Sequence, residues 1–137
     1  MTGLGYTADE LVELLTPYFV LRGAGSWTWG FWSSTSWDGD AKAGADGIID
    51  LSAVFSLPAG IKAISLRFSV KDATVGTWGR VSVDSTDVNA GVIVRAQVAN
   101  IWNDTGGIVQ CDTNGDIYFA QSAALDGVEL YINGYLS

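Results

Sequence analysis

The clearest pattern in the chain is an alternation of apolar and polar side chains in IKAISLRFSVKD, residues 61–72, which is strict over residues 64–71. In an extended chain, one face would carry Ile64, Leu66, Phe68 and Val70, and the other Ser65, Arg67, Ser69 and Lys71. A period of two is typical of a β-strand that covers a core on one side and meets water on the other. The stretch therefore predicts a strand of an antiparallel sheet.

Further runs with the same period occur along the rest of the chain. They cover residues 26–37, 47–57, 81–84, 92–98 and 128–133. Between the last two lies CDTNGDIYF, in which Asn114-Gly115 tolerates the positive φ angles of a type I′ turn. We therefore predict an antiparallel hairpin with strands near 107–113 and 116–122, which would set Cys111 opposite Tyr118.

The N-terminus has helical features instead. Thr7-Ala8-Asp9-Glu10 has the pattern of a capping box, and Pro17 marks the end of the helix. The apolar stripe consists of Leu11, Leu14, Leu15 and Tyr18. A helix of about ten residues is marginal alone in water. The stripe must therefore pack on the domain's own core or, as an anchor, on a neighbouring subunit.

Seven or eight short strands without a long crossover helix predict an all-β fold. A chain of 137 residues suits one domain. We expect an antiparallel β-sandwich, similar to a jelly roll, over residues 23–137. One short N-terminal helix, the anchoring segment, is expected to precede it over residues 1–22.

Charge and missing residue types exclude several functions. The net charge of −8 would repel a phosphate backbone and anionic lipids, so we expect no nucleic acid and no membrane as partner. The chain has no histidine, which excludes His-based triads and His-containing zinc sites. The single Cys111 cannot form an intramolecular disulfide. The first residues lack the basic and apolar segments of a signal peptide.

Residues 27–37 contain the densest group of aromatic side chains. One parity is shared by Trp27, Trp29, Phe31 and Trp37, which favours a core or a subunit interface. A sugar-binding platform is the alternative, because sugar rings stack their C–H faces on aromatic rings. The better exposed candidates for glycan stacking are Trp32, which breaks the parity, and Trp78 and Trp102, which lie near turn-like residues.

The acidic side chains single out neither a catalytic pair nor a metal site. Asp112, Asn114 and Asp116 place oxygens at alternate positions, as an EF-hand loop does. Ile117 stands where that loop requires glycine, and Ala123 where it requires glutamate, so a hairpin turn explains the pattern better. Three further carboxylates lie in the loop 38–47, with no distinctive spacing. We expect a non-catalytic protein without metal or cofactor.

The chain ends in VQCDTNGDIYFAQSAALDGVELYINGYLS, where a predicted hairpin at Asn114-Gly115-Asp116 is followed by a last alternating strand. That strand carries Val128, Leu130, Ile132, Gly134 and Tyr135. These features resemble the C-terminal ends of phage virion β-sandwich domains. The resemblance implies a head decoration protein, a head- or tail-fibre module, or a tail-associated adhesin. It further implies a virion location, other virion proteins as partners, a homo-oligomer with a trimer favoured, and a host-surface glycan as a candidate ligand.

Tyr131 and Tyr135 lie on the polar parity of the last strand, where a subunit interface would use them; a core-facing position is the alternative for both. The predicted function is that of a non-catalytic virion structural protein, which braces neighbouring subunits or displays a host-binding face. The alternative is a carbohydrate-binding module that uses exposed tryptophans.

Overall fold

The computed structural model describes residues 25–34, 37, 46–87, 89 and 91–137. Within these ranges the chain forms eight strands and one short helix. The strands are β1 Trp27–Trp32, β2 Gly47–Ile49, β3 Ala63–Lys71, β4 Trp78–Ser82, β5 Gly91–Arg95, β6 Asn103–Gln110, β7 Ile117–Gln121 and β8 Gly127–Leu136. The helix α1 is Leu51–Phe55. No helix in these ranges is long and apolar enough to cross a membrane.

The strands form two four-stranded antiparallel sheets. The strand order is β1-β8-β3-β6 in sheet A and β2-β7-β4-β5 in sheet B. The chain changes sheet after every strand except β4, which pairs directly with β5. This order is that of an eight-stranded jelly roll. The predicted all-β, jelly-roll-like sandwich is therefore confirmed.

The core lies between the two sheets. The inward side chains of β3 are the predicted Ile64, Leu66, Phe68 and Val70, all of them buried. At the centre, the Phe119 ring of β7 makes edge contacts with Trp37 and Phe68, at centroid distances of 4.8 and 6.1 Å. Such contacts add about 0.5–1.5 kcal/mol beyond the burial of the rings. Phe119 thus ties sheet B to sheet A and to the loop that follows β1.

The predicted strand over residues 47–57 is wrong in its second half, where α1 forms. Asp50 caps this helix, since its Oδ1 accepts a hydrogen bond from the Ala53 amide at 3.0 Å. Leu51 and Phe55 are both buried. Residues four apart share a face in a helix as well as in a strand. The apolar pattern therefore fits both structures, and the cap favours the helix.

The predicted hairpin around Asn114-Gly115 is also wrong. β6 pairs with β3 in sheet A, whereas β7 pairs with β2 and β4 in sheet B. Residues 111–116 therefore cross between the sheets and do not join two paired strands. Tyr118 lies opposite Ile48 and Ser82, and not opposite Cys111.

Asp112 shapes this crossing. Its Oδ1 accepts the amides of Asn114 and Asp116, each at 2.9 Å, and its carbonyl accepts the Gly115 amide at 3.0 Å. A type I′ turn would need a positive φ at both Asn114 and Gly115, but of the two only Gly115 has one, at 84°. The segment is a compact turn stabilised by its own aspartate.

The N-terminal predictions fall outside the described residues. They comprise the helix and anchoring segment over residues 1–22 and its stripe of Leu11, Leu14, Leu15 and Tyr18. These assignments, and the boundary between residues 22 and 23, stay predictions. Elsewhere, β4 begins three residues before the alternating run 81–84 and ends within it, and β5 ends before the run 92–98 does.

Candidate functional site

One row of side chains crosses the outer face of sheet A, with one residue from each strand. Phe31 of β1 stacks on Tyr131 of β8, with ring centroids 5.5 Å apart and an interplanar angle of 23°. The Arg67 guanidinium of β3 lies 5.6 Å from the Tyr131 ring centroid. Its Nη2 is 3.5 Å from Oδ2 of Asp104 on β6. The row therefore passes from two aromatic rings to a cation and then to a carboxylate.

Strand register produces this row. Arg67 lies directly opposite Tyr131 in the β3–β8 pairing, so their side chains leave the sheet on the same side. The neighbours of Arg67 along β3, Leu66 and Phe68, are buried in the core. Since side chains alternate along a strand, Arg67 must point outward.

A second aromatic pair continues the row along β1. Trp27 and Trp29 stack with centroids 5.3 Å apart and an interplanar angle of 13°. Trp29 pairs with Gly134 of β8 and lies over it, because a β-carbon at Gly134 would be only 2.5 Å from Cε3 of the Trp29 ring. Glycine at this position therefore lets the indole lie flat on the sheet. We name the set Trp27, Trp29, Phe31 and Tyr131 the aromatic face.

The aromatic face is open to solvent. The exposed fraction is 64% for Trp29 and 68% for Phe31. Beside them is a depression of about 400 Å³, lined by Phe31, Arg67, Tyr131 and Asn133. Grouped exposed aromatic side chains mark interaction surfaces more often than single ones do. This surface is therefore the candidate functional site.

The electrostatics of the site are close to neutral. Among the described residues that line the depression, only Arg67 is charged, and Asp104 offsets its charge. Both side chains are more than half exposed, so the pair contributes little stability and is screened by salt. The Tyr131 hydroxyl donates to the Glu129 carboxylate at 3.2 Å. Among the described residues, the site offers aromatic rings, one guanidinium and one amide.

The two predicted interface tyrosines lie on different sides of sheet A. Tyr131 belongs to the aromatic face, whereas Tyr135 packs against the core. The register of β8 against β3 shifts between Ser65 and Leu66, which sets Tyr135 opposite the buried Ile64. One extra residue in a strand changes the parity of everything beyond it. The shared outward parity expected for the two tyrosines is therefore wrong.

Two of the three predicted glycan-stacking tryptophans are less open than expected. Trp32 is half-buried, packs against the core and makes an edge contact with Tyr135, at a centroid distance of 5.3 Å. Trp78 is also half-buried, with the Arg80 guanidinium 5.0 Å from its ring centroid. Trp102 is exposed, and the Lys71 ammonium lies 5.2 Å from its ring centroid. No ring contact between described residues joins any two of the three tryptophans.

The aromatic face combines predicted and missed residues. Trp27, Trp29 and Phe31 were expected to share a face, and they do, but the core position offered for them is wrong. Sequence reasoning did not single out Arg67 or Asn133 for the site. Alternation alone could not tell the inner side of β1 from the outer, because the six residues WTWGFW carry no charge on either parity.

The acidic turn at residues 112–116 uses its oxygens internally. Asp112 accepts backbone amides, as described above, and the pKa of Asp116 is raised by burial and by the charges of Asp50 and Asp112. Among the described residues, no group of three or more acidic or thiol side chains is placed to hold a metal ion. Of the loop 38–47, residues 38–45 lie outside the described ranges, and Asp46 accepts the Gln121 amide at 3.0 Å.

Comparison with known proteins gives a distant likeness among solved structures. No protein-family model matches the chain, and no curated protein sequence matches it. Among solved structures, the coat protein of tobacco streak virus is similar, with 13% sequence identity and a TM-score of 0.39. The match covers 87% of this chain and 90% of that protein. At this distance we base neither the fold nor the function of the chain on it.

Proposed function

We propose that this chain is a non-catalytic structural subunit of a virion that packs against neighbouring subunits through the outer face of sheet A. The observation that carries the proposal is the aromatic face, an exposed and nearly neutral surface on a chain whose net charge is −8. Surfaces of this kind form the buried centre of protein–protein interfaces, where aromatic residues are enriched and charged residues depleted.

The jelly-roll strand order is compatible with this role, since jelly rolls recur in viral capsid proteins and in lectins. Fold alone does not specify function, so the choice between the two rests on the surface. An aromatic surface that extends along β1 and onto β8 suits a subunit contact better than a pocket for one sugar ring. The chain's C-terminal resemblance to phage virion domains, carried by the last strand β8 since the Asn-Gly-Asp hairpin does not form, supports capsid decoration or a fibre or tail-associated module as the finer role.

The N-terminal segment has a part in this proposal. Residues 1–22, with the stripe of Leu11, Leu14, Leu15 and Tyr18, would anchor the subunit to its assembly. Deletion of residues 1–22 should then abolish incorporation into particles and leave the strand signal in circular dichroism unchanged. A truncated chain that is unfolded would instead place this segment in the core.

A second candidate function is carbohydrate binding. The observation that favours it is the depression beside Phe31 and Tyr131, where Arg67 and Asn133 could hydrogen-bond sugar hydroxyls. The carbohydrate-binding interpretation predicts a monomer whose tryptophan fluorescence changes when sugars are added. Under this function, the predicted glycan-stacking residues are Trp32, Trp78 and Trp102. Trp102 is the most exposed of the three.

The decisive test of the virion role is the composition of particles. Virus particles from cultures that carry this sequence should be purified through a density gradient and analysed by quantitative mass spectrometry. We expect peptides of this chain to co-purify at a constant ratio to the most abundant capsid protein. Peptides found in the soluble fraction but absent from intact particles would contradict the proposal.

A further inference from the structure

β1 is an edge strand among the described strands, and it lacks two of the features that usually protect such edges, charge and proline. β8 is its single sheet neighbour among the described strands, so no described strand pairs with its other side. Natural edge strands are shielded by charged side chains, by proline or by short length. β1 has six residues, WTWGFW, with neither charge nor proline. The remaining sheet edges differ, because β2 has three residues, β5 ends in Arg95, and β6 carries Asp104.

The free edge of β1 is complementary to itself. Its pairing with β8 is regular over Trp27–Trp29 and shifts between Trp29 and Trp32. Two antiparallel copies related by a two-fold axis at Thr28 would set Trp27 of one copy opposite Trp29 of the other. Directly opposite residues in an antiparallel pair lie on the same face of the sheet. All four indoles would therefore meet on the outer face, beside the rings of Phe31.

Charge favours this surface for a contact between identical chains. Two copies with a net charge of −8 each repel one another at long range. The repulsion is weakest where the facing surfaces carry no net charge. The aromatic face itself contains no acidic residue. Beside it, the charges of Arg67 and Asp104 offset each other, and Glu129 adds one carboxylate, which accepts the Tyr131 hydroxyl.

We propose that β1 pairs with β1 of a second copy of this chain, in an antiparallel two-fold contact centred on Thr28. The contact would join two copies of sheet A into one continuous sheet and bury the four indoles across the seam. It rests on the proposed function, in which sheet A faces other subunits. The contact uses the same residues on both copies, so it produces pairs of subunits and does not by itself build a trimer.

The first experiment measures the mass of the full chain by light scattering after size exclusion, over a range of concentrations. We expect a dimer for the unchanged chain. Trp29→Lys places a charge at the seam and should raise the dimer dissociation constant by about 30-fold or more, as loss of a central tryptophan does at other interfaces. The matched control is Ile108→Lys on β6, whose exposed fraction of 63% is close to the 64% of Trp29. This control should stay a dimer.

The second experiment tests the register. Thr28→Cys lies on the proposed axis, where opposite α-carbons are about 4.5–5.5 Å apart, within the range that a disulfide spans. Mild oxidation should give a covalent dimer of this variant and none of Ile108→Cys. The native Cys111 will not interfere, because it is buried and burial raises its pKa to about 12.

Several results would overturn the contact. An unchanged chain that is monomeric at about 100 µM would do so, since even weak specific dimers are populated there. Equal dissociation constants for Trp29→Lys and the unchanged chain would do so as well. A dimer in which Thr28→Cys fails to cross-link would refute the register. A monomer whose tryptophan fluorescence is quenched by sugars would indicate that the aromatic face binds carbohydrate and does not pair with a second copy. The particle composition described above is independent of all these outcomes, so failure of the contact and failure of the virion role are distinguishable.

Discussion

Replacing Gly115 by alanine should destabilise the protein by about 3 kcal/mol. Two effects contribute. Gly115 has a φ of 84°, a conformation that costs an L-residue about 1–2 kcal/mol. A β-carbon there would also lie 2.7 Å from the Gly60 amide nitrogen and 2.9 Å from the Ile61 nitrogen. These are backbone atoms that cannot rotate away, and overpacking of this kind costs about 1–3 kcal/mol.

The matched control is Gly76→Ala. Gly76 has a φ of 94°, but a β-carbon there would meet no atom within 4 Å. This variant carries the conformational cost without the collision and should lose about 1 kcal/mol. The difference in unfolding free energy between the two variants therefore measures the cost of the collision between residue 115 and the backbone at Gly60.

Urea denaturation followed by tryptophan fluorescence measures both variants. The midpoint should fall more for Gly115→Ala than for Gly76→Ala, with the slope unchanged in a two-state transition. If the two losses agree within about 0.5 kcal/mol, Gly115 does not pack on the backbone at Gly60. It would then lie at an open hairpin tip, as its sequence context suggested, and our description of the crossing would be refuted.

Three further predictions concern the core and the acidic turn. Phe119→Ala should lower the unfolding free energy by about 3–5 kcal/mol in the same assay, because Phe119 is fully buried. The exposed Phe31 is the control, and Phe31→Ala should cost about 0.5 kcal/mol or less. Similar losses for the two variants would contradict the assignment of Phe119 to the core. Cys111 should resist iodoacetamide at pH 8 in the native state and react in urea, since its pKa is raised to about 12; rapid native labelling would show it accessible. Asp116→Asn should raise the melting temperature at pH 7 and not at pH 3. The raised pKa of Asp116 means that ionisation opposes folding, so the advantage of the variant should appear as the pH rises above the usual value of 3.8. If the stability advantage of Asp116→Asn instead grew as the pH falls, the pKa of Asp116 would be lowered by folding, and burial beside Asp50 and Asp112 would not be its cause.

The strands with the most regular alternation could be predicted from sequence. In β3 and in most of β8, the apolar side chains recur every second residue and all of them face the core. Their side chains can be assigned to a face because one parity is polar. The same reasoning failed at Tyr135, where a register shift between paired strands changed the parity. The local sequence does not predict such a register shift, because the shift arises from the pairing of β8 with β3.

The candidate site could be predicted only in part. Alternation in WTWGFW placed Trp27, Trp29 and Phe31 together, but both parities of β1 lack charge, so the outward side was undetermined. Arg67 joins the site through the pairing of β3 with β8, from a position more than thirty residues away from β1 in the chain.

Local sequence thus accounts for the periodicity, the sandwich class and the near neutrality of the aromatic stretch, because these depend on side chains within a few residues of one another. The packing of two sheets decided the rest. It sent β7 to sheet B instead of into a hairpin with β6, and it turned Trp37 inward against Phe119 while Trp29 stayed outside. The physical reason is that an amphipathic strand specifies which residues share a face, whereas only its neighbours in the fold decide which face meets the core.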